Sequence, residues 1–437
     1  MHPSKASLNW AGELGASLQR RFERLCEIRR HLHRHPEPSG AEVKTTRYIA
    51  SVLAAEHLEP VILPGSHGLW VDVGSGSGLG ADSQDRTAGD SAPERPRIGI
   101  RGDIDALWIQ DEKRVTYRSG VDGVMHACGH DAHTTIVLGA ILVLAELDRA
   151  GLLPWPIRCR AIFQPAEETN QGALQMIQAG AVDGLAELLG IHVDPSRVVN
   201  SIGVRHGDFT ADCHELELEI HGSGGHAARP HEAVDPIAIA AQLISAIYQF
   251  VPRVNNSHDP VVLTFGQIHG GQLANVIPDQ VVVRGTLRTL DAAVSAKTIE
   301  QIERLANGIS AACGGRVVCR WLSGPPPVKN DPELVNLLIE AGRAVVGDRN
   351  VQMIRHASMG GEDFANYLTR VRGAMFRLGC ATASPAPPLH SPLFDIDERA
   401  LAIGAEVLAH AVIRWCDPKG DADGVTLKGT NHRPSLH

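Results

Sequence analysis

Between residues 97 and 194, short apolar runs alternate with helical stretches, and this alternation limits the possible folds more than any other feature of the chain. The apolar runs are RIGIRG, IRCRAIF and LAELLGIHV, and the helical stretches between them are HTTIVLGAILVLAEL and GALQMIQAG. Strands that alternate with helices in this way are typical of a largely parallel sheet covered by helices. We therefore predict an α/β fold built on a mixed, mostly parallel sheet.

The pattern changes near residue 211 to a smaller set of elements. Residues 215–322 show the β-α-β-β-α-β order of a ferredoxin-like α+β unit. Because single cores stop growing at about 250–300 residues, a chain of 437 residues is expected to form two domains. We predict a main domain from residues 1–210 and 324–415, an inserted domain from residues 211–323, and a polar tail at 416–437.

Composition and charge exclude several kinds of partner. The 50 acidic and 41 basic side chains form no block of like charge, so neither nucleic acid nor an anionic membrane is expected to bind, and a small-molecule substrate fits better. The amino terminus has no apolar signal core and no stretch approaches the roughly 20 apolar residues of a membrane span, which predicts a cytoplasmic protein. Eight scattered cysteines indicate buried thiols rather than a disulfide framework. The Gly- and Ser-rich segment 74–96 predicts a surface loop.

Polar side chains follow the apolar runs. Asp103 and Asp105 follow RIGIRG, Glu167 and Glu168 follow IRCRAIF, and His192 ends LAELLGIHV. The carboxyl ends of parallel strands share one edge of a sheet, where open α/β sheets bind their ligands. Adjacent carboxylates repel each other unless a cation or a shared proton offsets them. In a two-metal site the two glutamates would have different roles: one binds a metal ion and the other transfers protons.

In the segment MHACGHDAHTT, Cys128 and His130 flank a single glycine. In extended backbone both side chains project to the same side, where they are able to hold one metal ion. A bare CxH pattern is more often a buried cysteine beside a histidine at a helix start. The neighbouring His126, Asp131 and His133 favour metal binding, because ligating histidines need carboxylate partners that fix their tautomer.

A proline-flanked turn, PLHSPLFD, contributes a further histidine and completes a set of five candidate metal ligands. They are Cys128, His130, Glu168, His192 and His390. A lone histidine such as His192 or His390 is more often a core or surface residue, and only the combination indicates ligands. Thiolate, imidazole and carboxylate donors suit zinc, manganese, cobalt or nickel better than magnesium or calcium. We predict two divalent metal ions.

Several segments, in order along the chain, resemble the amidohydrolase branch of the M20 metallopeptidases, which includes hippurate hydrolases, N-acyl-amino-acid amidohydrolases and plant auxin-conjugate hydrolases. They are MHACGHDAHT, FQPAEE, LGIHV, GSGGHAARPHEAVDP, ANVIPD, GTLRT and GGEDF, and the resemblance extends from about residue 25 to residue 413. It implies a zinc-peptidase-like catalytic domain that binds two metal ions, interrupted by a lid domain that usually carries a dimer contact.

The resemblance also implies roles for individual residues. The family's metal ligands match the five candidates named above, and Glu167 matches its general base. In the lid, His226 matches a histidine that reaches across the dimer to the scissile carbonyl of the substrate. Asn275 and Arg288 match lid positions that help to hold substrate.

The expected function is metal-dependent hydrolysis of the amide bond in N-acyl amino acids or similar conjugates, by a homodimer or a larger homo-oligomer. A dipeptidase or carboxypeptidase of the same fold is an alternative, and a metal-bearing binding protein without turnover is another. The chain departs from the family pattern at Gly102 and, beside the expected site, at Trp108, Thr169 and Asn170. These departures concern the substrate side chain rather than the metals.

Overall fold

The strands of the protein form one large and one small sheet, together with two short ribbons. The computed structural model describes residues 9–65, 67–74 and 96–418, so nearly all of the predicted surface loop and of the predicted tail lies outside the described residues. In chain order the strands are β1 (Val61–Ile62), β2 (Leu69–Gly74), β3 (Arg97–Asp103), β4 (Arg158–Gln164), β5 (Leu185–Val198), β6 (Ile202–Val204), β7 (Gly207–Asp208), β8 (Asp212–His221), β9 (Gly225–His226), β10 (Val261–Gly270), β11 (Val276–Ile277), β12 (Gln280–Thr289), β13 (Arg316–Ser323), β14 (Lys329–Asn330), β15 (Val351–Met353) and β16 (Arg372–Ala381).

Helices cover both faces of the large sheet and one face of the small one. In chain order they are α1 (Trp10–Arg34), α2 (Val43–Ala55), α3 (His130–Arg149), α4 (Gly172–Gln178), α5 (Pro236–Val254), α6 (Ala292–Ala312), α7 (Pro332–Val346), α8 (Phe364–Tyr367) and α9 (Arg399–Trp415).

The large sheet has the strand order β1-β2-β4-β3-β5-β16-β6-β15. Its centre is parallel, because β3 pairs in parallel with β4 and β5, and β5 pairs in parallel with β16. Antiparallel strands border this centre, with β2 beside β4 and β6 beside β16. The prediction of an α/β fold with a mixed, mostly parallel sheet is confirmed.

Alternating side chains of the central strands pack into two separate cores. In β4, Ala161 and Phe163 belong to the core that α1, α3, α7 and α9 complete, whereas Ile162 belongs to the core with α4 and α8. Successive residues of a strand point to opposite faces, so an apolar run such as IRCRAIF is buried on both sides. This double burial explains why the central strands read as nearly continuous apolar sequence.

Three helices begin at an aspartate that caps their first turn. The side chains of Asp235, Asp291 and Asp331 each accept hydrogen bonds from two backbone N–H groups at the start of α5, α6 and α7. Pro236 and Pro332 follow two of these caps, at a position where a helix does not need the missing N–H. The sequence therefore fixes these helix starts locally.

The small sheet belongs to the inserted unit and has the antiparallel order β10-β12-β8-β13. Helices α5 and α6 pack on one face through side chains such as Leu218, Leu243 and Ile302. The chain order β8-α5-β10-β12-α6-β13 is the split β-α-β-β-α-β arrangement expected from the sequence. The chain passes into this unit after β7 and returns at β14, and these two strands pair with each other. We call this unit the lid.

Among the described residues, α3 and α5 are long and apolar enough to meet a membrane-span criterion. Helix α3 is the central helix of the main core, with 94% of its apolar window buried, and this burial explains its hydropathy. Helix α5 is only 28% buried, so it contributes apolar surface to the outside of the lid.

Candidate active site

The five candidate ligands lie together at the carboxyl edge of the large sheet, although they come from separate segments. Cys128 precedes α3 and His130 begins it, Glu168 follows β4, His192 lies in β5, and His390 follows β16. Cys128 Sγ lies 3.5 Å from His192 Nε2. Glu168 Oε1 lies 3.8 Å from His130 Nε2 and 3.5 Å from His390 Nε2.

These donors form two groups that overlap at the cysteine. Ligand atoms of Cys128, His130 and His192 lie within 4.8 Å of one another, and so do those of Cys128, Glu168 and His390. Each group mixes a thiol with imidazole or carboxylate, which is the donor chemistry of a borderline-soft first-row ion. The arrangement has the donors for two neighbouring metal ions.

Two of these donor atoms, His130 Nε2 and Glu168 Oε1, are buried without a hydrogen-bond partner among the described residues. A buried polar atom without a partner costs about 1–3 kcal/mol. His130 Nδ1 lies 2.9 Å from Asp105 Oδ1, and because a carboxylate only accepts, Nδ1 carries a proton and Nε2 is the nitrogen that remains for a metal ion. An imidazole nitrogen and a carboxylate oxygen that both lack partners fit a divalent metal ion.

Asp105 organises several parts of the site at once. Besides binding His130, its Oδ2 accepts hydrogen bonds from Ser39 Oγ at 2.7 Å and from the backbone N–H of Glu168 at 3.1 Å. The sequence places Asp105 at a strand end but predicts no role for it. A carboxylate that holds both a candidate histidine ligand and the loop of a candidate glutamate ligand orients the two side chains relative to each other.

Replacing Asp105 by asparagine is expected to weaken metal binding by about 10- to 100-fold, because the histidine loses its anionic partner. Competition with a chelator measures the dissociation constant. Asp183→Asn, which alters an exposed aspartate far from this edge, is the control and is expected to leave that constant unchanged. An Asp105→Asn protein with the same metal affinity as the control would contradict this role.

The sequence pattern predicts that the strand carrying His192 ends there. In the structure, this strand continues to Val198. The prediction of the site is not affected. Arg101 pairs with Gly190 between β3 and β5, so His192, two residues further on, is level with Asp103 at the end of β3. The polar continuation DPSRV hides the true strand length, because four of its five residues are not buried.

The segment of Cys128 and His130 is not extended, and the sequence-based expectation of an extended backbone is wrong. Gly129 has a φ of 91° and caps α3, and His130 is already its first helical residue. A Cβ atom on Gly129 would lie only 2.4 Å from Val193 Cγ2. The left-handed glycine therefore turns the chain into the helix and brings the two donors close against β5.

Replacing Gly129 by alanine is expected to lower the free energy of unfolding by about 1–3 kcal/mol, through positive φ and the clash with Val193. Denaturant unfolding measures the loss. Gly151→Ala is a matched control near the other end of the same helix, because its φ is 67° and nothing lies within 4 Å of its Cβ position. An equal loss in both variants would contradict the close contact at Gly129.

Backbone strain marks the loops that hold the ligands. Ala166, Asn170 and His390 have positive φ values of 51°, 57° and 62°. Such residues cost about 1–3 kcal/mol each and persist only where the surroundings hold them. The backbone N–H of Ala166 donates to Glu42 Oε1 at 2.8 Å, and that of His390 donates to the carbonyl of Ala127 at 2.8 Å. These bonds fix the loops of Glu168 and His390.

Glu167 is buried beside the ligands, with its Oε2 3.9 Å from His130 Nε2. Burial, together with the negative charges of Glu362, Asp363 and Glu168, raises the pKa of Glu167 well above its usual range. A carboxylate of raised pKa accepts and keeps a proton more readily than an exposed glutamate. Among the candidate residues, this one has the surroundings of a general base.

A buried arginine offsets the acidic groups behind Glu167. Arg101 donates to Asp103 at 2.7 Å and to Asp363 at 3.0 Å, and its guanidinium lies 3.1 Å from Glu362. The family motif GGEDF contains both Glu362 and Asp363, but the sequence assigns them no function. The arginine in the strand end RIGIRG and the acidic pair in GGEDF were the only signals of this network.

The candidate residues of the lid separate into two groups. Arg288 lines the cavity in front of the ligands, and its Nη1 donates to the carbonyl of Met359 at 3.0 Å. His226 lies instead in β9 of the β9–β11 ribbon, and Asn275 lies in the turn directly before β11; both are exposed, and Ala227 N–H donates to the carbonyl of Asn275. Neither of these two lines the cavity. Within one chain, the structure does not bring His226 to the metal ligands.

The cavity between the large sheet and the lid has a volume of about 640 Å³, within the range of small-molecule sites. Thr169 and Asn170 line it next to the ligands. Trp108, expected beside the site, does not line the cavity and is 75% exposed. Of these departures from the family pattern, Thr169 and Asn170 are the ones that face the substrate space.

Comparison with known proteins agrees with this geometry. The family model described as peptidase family M20/M25/M40 matches residues 99–414. A probable hydrolase of Synechocystis is 43% identical over 408 residues, which cover 92% of this chain and 98% of the relative. An N-acetyl-L-cysteine deacetylase of Bacillus subtilis is 37% identical over 398 residues, which cover 90% of this chain and 89% of the relative.

A solved structure shows the same architecture. It is a Bacillus subtilis protein described as a dinuclear metal-binding peptidase of the M20 family, and it is 31% identical with a TM-score of 0.73. The match covers 91% of this chain and 99% of that one.

Proposed function

We propose that the protein cleaves the amide bond of N-acyl amino acids with Glu167 as general base. The premise is that the chain belongs to peptidase family M20/M25/M40 and is a metal-dependent hydrolase of the amidohydrolase and peptidase type. The observation that carries the proposal is the buried Glu167 beside five metal donors at the floor of a small cavity. The similarity to an N-acetyl-L-cysteine deacetylase supports the substrate class.

The metal-binding residues of the proposed enzyme are Cys128, His130, Glu168, His192 and His390, which would hold two divalent ions such as manganese, zinc, cobalt or nickel. Ions bound there supply Lewis acidity, which polarises an amide carbonyl and makes water more acidic. Glu167 accepts the proton of the attacking water and returns it to the amide nitrogen, so that nitrogen leaves as an amine. The new C–O bond forms when water attacks the carbonyl carbon, and the C–N bond breaks afterwards, when the nitrogen has received the proton.

Arg288 positions the substrate in this proposal. Its guanidinium reaches the cavity from β12 and has no carboxylate partner among the described residues. A guanidinium binds a carboxylate through two parallel hydrogen bonds. The carboxylate of the amino acid part of the substrate therefore fits Arg288, with the scissile amide towards Glu167.

We also propose that the enzyme is a homodimer in which His226 of one subunit completes the site of the other. His226 is exposed on the lid and lies outside the cavity of its own chain. The same lid has an exposed edge strand, β10, with apolar side chains at Val262 and Ile268, and exposed apolar side chains on α5 at Ile237 and Tyr248. An edge strand beside apolar surface is suited to pairing with a second copy.

The test is a panel of N-acyl amino acids and dipeptides, supplied to the purified enzyme loaded with manganese or zinc, with the released amine as the readout. We expect turnover of N-acyl amino acids and little turnover of dipeptides. Faster cleavage of dipeptides would replace the proposal by a dipeptidase. Full metal loading without turnover of any member would indicate a metal-bearing binding protein.

A further inference from the structure

The large sheet contributes an arginine, Arg377, to the cavity wall beside the metal donors. Arg377 lies in β16, is half-buried, and lines the same cavity as the metal ligands. Its guanidinium lies over the ring of Phe209, with 5.3 Å between the guanidinium carbon and the ring centroid. No carboxylate forms an ion pair with it among the described residues. The aromatic ring therefore holds the side chain without neutralising it.

The buried arginines among the described residues of the main domain have carboxylate partners. Arg29 pairs with Asp131 at 2.8 Å, Arg160 pairs with Asp72 at 2.7 Å, and Arg101 contacts three carboxylates. A cation taken partly out of water without an anion is costly. Arg377 is half-buried without such a partner among the described residues, and it faces a cavity where a ligand from outside the chain is able to supply the anion.

The position of Arg377 next to the metal donors strengthens this argument. In the parallel register of β16 and β5, Arg377 is the direct neighbour of His192, so both side chains project from the same face of the sheet. A guanidinium close to the ligand of a metal cation repels that cation. An anionic group of the substrate, placed between them, offsets the repulsion.

Arg288 faces the cavity from the lid, and Arg377 faces it from the large sheet. Two separate guanidinium groups without carboxylate partners match two separate carboxylates better than one. The lid also presents one carboxylate to the cavity, Glu215, but it is exposed and forms no ion pair with either arginine among the described residues. The cavity therefore retains two unneutralised cations.

We propose that Arg377 binds a second carboxylate of the substrate, so that the preferred substrates are N-acyl amino acids with two carboxylates. This inference rests on the proposed function. The second carboxylate is either the side chain of an acidic amino acid or the far end of a dicarboxylic acyl group. Both sources present the same group to the same guanidinium, and the experiment separates them.

The test compares each acid with its uncharged amide: N-acetyl-L-glutamate with N-acetyl-L-glutamine, and N-succinyl-L-alanine with its succinamoyl counterpart. We expect kcat/KM to favour one of the acids over its amide by about 10- to 100-fold, the range for a hydrogen bond to a charged group in a partly buried site. In the Arg377→Met variant, kcat/KM for the acid and kcat/KM for its amide are expected to become about equal. The change should lie mainly in KM, and the metal content should be unchanged. Arg377→Lys should retain part of the preference for the acid.

Arg372→Met is the matched control. It removes an exposed arginine from the other end of the same strand, where Arg372 pairs with Asp331 and Glu333, and it should keep the full preference for the acid. Preference for N-acetyl-L-glutamate assigns the second carboxylate to the amino acid, and preference for N-succinyl-L-alanine assigns it to the acyl group. Equal kcat/KM for acid and amide in both pairs, or a preference that survives Arg377→Met, would overturn the inference.

A binding measurement keeps this test independent of turnover. In metal-loaded Glu167→Gln protein, calorimetry should show tighter binding of the preferred acid than of its amide, and the difference should disappear when Arg377→Met is added. If the wild-type enzyme hydrolyses no member of the panel, the proposed function fails, and the calorimetric difference alone decides the role of Arg377. If neutral N-acyl amino acids are hydrolysed without any preference for acids, only the inference fails.

Discussion

Glu167→Ala protein is expected to retain both metal ions and to lose about 10²- to 10⁴-fold in turnover of N-acyl amino acids. The loss follows from removal of the proton acceptor. Glu167 Oε2 lies 3.9 Å from His130 Nε2. The two groups of candidate metal donors that share Cys128 do not include Glu167, so both should form without it. Steady-state kinetics and metal analysis of the same preparation measure the two quantities together.

Two further variants test whether Glu167 is the base and the adjacent Glu168 is a metal ligand. Glu168→Ala should lose metal as well as turnover, because Glu168 Oε1 lies between His130 and His390. Glu23→Ala, which changes an exposed glutamate of α1, should retain metal and turnover. The assignment is wrong if Glu167→Ala retains wild-type turnover, or if it loses metal to the same extent as Glu168→Ala.

The sequence predicts the parts of the fold whose signals are local. Apolar runs predict the central strands, and the apolar periodicity of α1, α3, α5 and α6 predicts those helices, because burial repeats with the period of the element. The antiparallel strands β1 and β2 and the helix α2 were not predicted. Strand β1 has only two residues, both exposed, so it carries no periodic signal. Helix α2 and strand β2 do carry local signals, in the buried side of α2 and in the alternating burial of β2.

The candidate site also has a part that the sequence predicts and a part that it does not. The five candidate donors were identified because each lies in a compact local motif, and the structure places their ligand atoms in two groups whose members lie within 4.8 Å of one another. The supporting residues were not recognised, because their partners are remote in sequence. Arg101 and Asp363 are 262 positions apart. No pattern within one segment identifies such a pair. In the sequence, Arg377 looks like an ordinary strand residue. Only the pairing of β16 with β5 and the position of the cavity show that it lies next to His192.

The second large effect tests the proposed homodimer. A heterodimer of one Glu167→Ala chain and one His226→Ala chain, isolated through two different affinity tags, is expected to recover about half of the wild-type turnover. Each homodimer should be strongly impaired. In the heterodimer, the His226→Ala chain retains Glu167 and receives His226 from its partner, so one of the two sites is complete.

The reciprocal pairing distinguishes the two locations of His226. A heterodimer of wild-type chain with a chain that carries both Glu167→Ala and His226→Ala should be almost inactive, because the wild-type site receives no histidine and the other site has no base. If His226 acts within its own chain, the results reverse: the two single variants together remain impaired, and the wild-type site of the second heterodimer works. His226 is exposed and outside its own cavity, which favours the first outcome. Failure to isolate any doubly tagged complex would contradict the homodimer itself.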